Sequence, residues 1–127
     1  MTRRTGVIWG ISLCFAALLP TAFAVLGWFV KLGAHPWWDV KTAVIGAAIG
    51  VVVMIAIAVL PVVPRLAIGL AVFFLAATCA NYGKAQFAAS FAEDAFAGKL
   101  WYFGWIGVAT GITLIAFEIR TLLQRIF

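Results

Sequence analysis

Four long apolar stretches, none with an ionisable residue at its middle, leave this 127-residue chain little freedom in how it can fold. They cover residues 7–30, 40–60, 66–82 and 100–119. Each has about the 17–25 residues with which a helix crosses a hydrocarbon core of roughly 30 Å. Hydrophobic residues make up 66% of the chain and charged ones 10%, with a mean hydropathy of +1.16, and the connections are too short to build a water-soluble domain.

In lipid no water satisfies the backbone, so spanning segments are helices or the strands of a closed barrel. Barrel strands alternate polar and apolar residues, and neither 40–60 nor 66–80 does so. The expected fold is an all-α integral membrane protein: one domain over residues 1–127, with four transmembrane helices in one bundle.

The net charge of +5 could suggest nucleic acid, but its distribution suits a membrane surface instead. With four spans, Arg3, Arg4, Arg65, Arg120 and Arg125 fall on one side with Glu118. Lys31, Lys41, Lys84 and Lys99 fall on the other with Asp39, Glu93 and Asp94. The arginine pair beside the first span favours both termini in the cytoplasm, in a bacterial inner membrane. Arg3, Arg4, an apolar run and Ala22-Phe23-Ala24 imitate a cleavable signal peptide, but the run continues through residues 25–30, longer than such a peptide needs. It reads as an uncleaved first span, kinked at Pro20, where the ring removes a backbone hydrogen bond and crowds the carbonyl of Ala16.

Between spans one and two, His35, Pro36, Trp37 and Trp38 form a short loop. Trp37 and Trp38, with Trp101 at the start of span four, are expected as interface anchors whose rings lie at headgroup level. His35 is the chain's one histidine, so no bis-histidine haem site can form, and it reads as a belt residue. On the opposite side, Pro61 and Pro64 stop span two and restart span three, and Arg65 is expected to anchor that turn at the lipid surface. Spans two and three are therefore an antiparallel hairpin.

Residues 83–99 are the least apolar stretch and the longest connection. Phe87, Phe91 and Ala95 recur at helical spacing, with Gln86, Ser90, Glu93 and Asp94 mostly on the other side. This predicts a short interfacial amphipathic helix over about 84–97, broken from the spans by Gly83 and Gly98. Phe87, Phe91, Glu93 and Asp94 are its candidate contact residues for an external partner.

Three pairs of glycines four apart stand out among the chain's twelve: Gly6/Gly10, Gly46/Gly50 and Gly107/Gly111. Such pairs let a neighbouring backbone approach closely and drive helix association in lipid. Gly46/Gly50, flanked by Ala43 and Ala47, is the best placed, as a seam either within the chain or between chains. The expected partners are the lipid bilayer and a second copy or larger membrane complex.

Chemistry is sparse. Cys14 and Cys79 read as small packing residues at different depths, with no neighbouring ligand at metal spacing. Glu118 lies near the end of span four beside Arg120, within reach of the interface. A proton-coupled small exporter needs a carboxylate embedded in its first span, and this first span has none. Asp39, Glu93 and Asp94 lack a partner histidine or nucleophile, so neither an enzyme nor a cofactor or metal is expected. The expectation is a small accessory or envelope-modulating protein; a minimal oligomeric transporter or channel, with Pro20 and the span-four threonines lining a path, is the alternative.

Phe87-Ala88-Ala89-Ser90-Phe91, Gly98-Lys99-Leu100 and Phe103-Gly104, preceded by the Pro64-Arg65 turn, resemble the C-terminal part of VanZ-like membrane proteins. The likeness covers about a third of the chain and lacks the family's Asn-Pro-Tyr-like start and its late Trp-Pro. It implies a cell-envelope role without a defined reaction.

Overall fold

The computed structural model describes residues 2–126, and it is an all-α bundle with no strand among them. The elements are α1 (Arg3–Val25), α2 (Trp28–Lys31), α3 (Asp39–Ala56), α4 (Val62–Ala89) and α5 (Ala95–Ile126). All but the four-residue α2 are long and apolar enough to cross a membrane. They alternate in direction, so both ends of the chain and the α3–α4 turn share one face, here the terminal face. The α1–α3 and α4–α5 connections share the other, the loop face.

Local chemistry sets the boundaries. The first apolar stretch does not stay helical to residue 30. Gly27 takes φ +85°, a left-handed conformation that a side chain rarely adopts, and there the chain turns from α1 into α2. The turn folds Phe29 back into the bundle, where its ring lies 4.9 Å from that of Trp105. α1 itself runs without interruption through the buried Pro20. Pro61 precedes α4 and Pro64 sits in its first turn, where a missing N–H leaves no hydrogen bond unmade.

α5 is the hub. It packs against α1, α3 and α4, whereas α4 rests on α5 and has at most marginal contact with α1 or α3. The α4–α5 seam is antiparallel and built from small residues at intervals of three and four. Gly83 meets Ala97 and Trp101, Gly104 meets Ala80, Gly107 meets Ala76, and Gly111 meets Phe73. A Cβ added at Gly83, Gly104 or Gly111 would fall inside 3 Å of backbone atoms on the facing helix. α3 and α5 run parallel, with Gly46 against Ile106, Ala109 and Thr110 and Gly50 against Thr113. The core divides into two clusters, one around Phe29, Ala43, Trp105 and Ala109 and the other around Ala16, Met54, Leu114 and Phe117.

The short interfacial helix expected over 84–97 is not seen as a separate element. α4 continues through that region to Ala89, and α5 begins at Ala95. Gly83 acts as a contact residue on α5 instead of breaking the helix, so the hairpin stays packed as far as its tip. The chain reverses at Phe91 and Ala92, both at positive φ (55° and 67°). Ser90 Oγ donates to the Phe87 carbonyl and accepts from the Asp94 N–H, and Asp94 Oδ1 accepts from the Ala97 N–H at the start of α5.

Candidate functional site

Two places in the bundle carry more than packing, one near each face. Near the terminal face, Arg65 on the first turn of α4 and Glu118 on α5 are brought to equal depth by the antiparallel seam. Arg65 is 7% exposed and Glu118 0%. Arg65 Nε lies 2.7 Å from Glu118 Oε1, and Nη2 donates to Oε2 at 3.2 Å. Nη1 reaches the Ala58 carbonyl beyond the end of α3 at 3.4 Å. The guanidinium also stands 6.0 Å over the Phe117 ring, against which Trp9 of α1 packs edge-on at 4.8 Å. The pair thus joins α4 to α5 and to the segment after α3, and α1 reaches it only through the Phe117 ring. Two expectations are corrected here: Arg65 does not anchor the turn at the lipid surface, and Glu118 does not reach for the interface. Removal from water makes each charge dependent on the other, which holds both side chains inside.

Near the loop face, α1 and α4 both lean on α5 with at most marginal contact with each other, and a cleft of about 430 Å³ remains between them. Phe23 and Trp28 form one wall, their rings stacked 4.8 Å apart. Phe73, Ala77 and Asn81 of α4 form the other, and Trp105 of α5 lies behind. The lining is almost wholly apolar, with the Asn81 amide as its polar exception.

Above the cleft lies an aromatic cluster. Trp38 packs edge-on against Trp101 and Tyr102, each at 5.2 Å, and His35 stacks on Trp38 at 5.9 Å. Trp101 Nε1 donates to the Gly33 carbonyl at 2.9 Å, tying α5 to the α2–α3 loop. His35 Nδ1 accepts from the Trp37 N–H. The anchor residues thus divide. Trp37 stands 90% exposed, as an interfacial ring can, whereas Trp38 and Trp101 join the structure. The four hairpin residues divide as well. Phe91 is 92% exposed and Glu93 is exposed at the tip, while Phe87 packs on Gly98 and Trp101 and Asp94 caps α5.

The glycine positions fall inside the chain. Gly46, Gly50, Gly107 and Gly111 all face helices of their own bundle, whereas Gly10 faces open space. Thr110 Oγ1 lies 3.0 Å from both the Gly46 and the Ile106 carbonyls, and Thr113 Oγ1 donates to the Ala109 carbonyl. Cys14 and Cys79 are free and outward-facing. Ser12 Oγ is buried without a hydrogen-bond partner among the described residues, and nothing in the structure explains it.

Comparison with family profiles, curated proteins and solved structures finds no match to this chain.

Proposed function

We infer that this multi-pass membrane protein is a small accessory or envelope-modulating subunit that works by packing against a second copy or a larger membrane partner. The observation that carries this reading is the one-sided burial of α4. Its inner side is used up on α5, and its outer side presents Leu70, Phe74, Leu75 and Tyr82 uncovered. Because the glycine seams are occupied within the chain, association falls to this outer side of α4. The span-four threonines bond to backbone carbonyls and Arg65 pairs with Glu118 inside one chain, which favours the accessory reading over the transporter alternative. The similarity of 87–104 to VanZ-like proteins supports the envelope setting. The arginines gathered on the terminal face support cytoplasmic termini in a bacterial inner membrane.

The reading is tested by a photo-crosslinker placed at Leu75, on the outer side of α4, or at Val52 on α3, in native membranes. Leu75 should give one discrete protein adduct, a dimer of the chain or a single partner, and Val52 should not. Solute flux through vesicles holding the purified protein alone would overturn the reading, as would lipid adducts only from both positions.

A further inference from the structure

We propose that the cleft between α1 and α4 is a binding site for one anionic phospholipid of the loop-face leaflet, an acyl chain lying along its aromatic walls and the phosphate held at Lys84. The proposal needs the four spans to lie in a bilayer and is independent of what packs on α4.

The cleft has the character of a ligand site. Its volume of about 430 Å³ falls within the roughly 300–1,000 Å³ usual for small-molecule pockets, and such pockets commonly sit between the helices of bundles. Stacked Phe23 and Trp28 stiffen one wall. Opposite them Ala77 and Ala80 keep the α4 wall low, so the recess stays open. Nothing within the chain fills it, because α1 and α4 approach α5 separately. An extended apolar chain matches such a slot better than a compact solute does.

Position and charge select the headgroup. Phe73, Ala77, Asn81 and Lys84 follow one another along one face of α4 at helical spacing. From Phe73 to Asn81 the helix rises about 12 Å, so the apolar part of the cleft lies at acyl-chain depth when Lys84 lies at the membrane surface. Gly83, the neighbour of Lys84, packs on Trp101, and His35 lies 5.7 Å from the Trp101 ring and 5.2 Å from the exposed Trp37 ring, so the residue suited to headgroup depth stands at this end of α4. The Lys84 side chain reaches across the end of the cleft, with Nζ 3.4 Å from where a Gly33 Cβ would stand, directly after Leu32 of the lining. The ion pair among the described residues is Arg65–Glu118, at the other face, and no described carboxylate lies within 4 Å of the Lys84 ammonium. An exposed ammonium over an apolar slot, with the Asn81 amide just below it, matches a phosphate above its glycerol esters. A lysine at an anionic headgroup layer contributes about 1 kcal/mol, equivalent to about a fivefold preference.

The test is native mass spectrometry of the full chain released from micelles containing equal phosphatidylglycerol and phosphatidylcholine. The native protein should retain one phospholipid, with phosphatidylglycerol preferred by about fivefold. Ala77→Trp, which fills the slot, should retain neither lipid, while Leu75→Trp on the outer side of α4 should behave as the native chain. Lys84→Gln, at an exposed position that leaves packing alone, should keep one lipid and lose the preference. The assignment is overturned if the native chain and Ala77→Trp shed lipid alike. It is equally overturned if Lys84→Gln keeps the native preference, which also decides the matter should Ala77→Trp fail to fold. Either failure leaves the crosslinking result at Leu75 untouched.

Discussion

The two faces of the bundle are built from the same four helices and end in opposite ways. At the terminal face a salt bridge joins α4 to α5, with Arg65 touching Glu118 and the Ala58 carbonyl beyond α3, while Trp9 of α1 packs on the adjacent Phe117. At the loop face α1 and α4 stand apart, and aromatic rings line the gap. Without a hydrophobic force between helices in lipid, close packing and polar contacts do the joining. Where a buried charged pair ties α4 to α5 and to the segment after α3 the spans are held together, and where the walls of α1 and α4 are apolar a cleft remains.

The largest expected effect comes from breaking the closed end. Glu118→Ala leaves the Arg65 guanidinium buried and unpaired, a loss of about 3–5 kcal/mol, measured by equilibrium unfolding in mixed micelles. The double variant Arg65→Met/Glu118→Leu should recover most of that loss. If the single and double variants unfold alike, the pair is not what closes this face.

A smaller effect is expected from the seam between the two ends. Gly46→Leu drives a side chain into the Ile106 carbonyl and Ala109, and the overpacking should destabilise by about 1–3 kcal/mol. Because Gly46 faces its own chain, the damage should appear as altered α3–α5 spacing within one chain, read by paired spin labels. A native intramolecular distance with lost dimerisation would place the seam between chains instead.

The smallest effect is expected at Ser12, whose hydroxyl is buried without a partner. Replacing an unsatisfied group with a methyl should be neutral or slightly stabilising, within about 1 kcal/mol. A clearly destabilised Ser12→Ala would mean that the hydroxyl has a partner in the membrane.

What the sequence made legible was the span count and the close-contact glycines, because both depend on local periodicity. The glycines at 46, 50, 107 and 111 could be found by spacing, but the alanines that Gly107 and Gly46 meet, Ala76 and Ala109, could not be told from other alanines in an alanine-rich chain. Arg65 and Glu118 were read beside their sequence neighbours, a turn and Arg120, and so both were assigned to the interface. The usable signal was that two opposite charges on antiparallel spans lie equally far from the same face. The amphipathic pattern of 84–97 does not become a helix of its own, since Phe87 packs on α5, Phe91 is exposed at the tip and Ala95 already belongs to α5. The cleft left no local signal, because it arises from the missing contact between two spans far apart in sequence.

The central position of α5 also bears on how the chain is made. Residues 95–126 leave the ribosome after α1, α3 and α4, yet α4 rests almost entirely on that helix and both core clusters draw on it. During synthesis α1 and α3 can meet, but α4 must wait in the bilayer with its small-residue face uncovered. Assembly of these four helices is therefore decided at the insertion of α5, and a chaperone or quality-control protease would meet α4 as an unpaired helix until then.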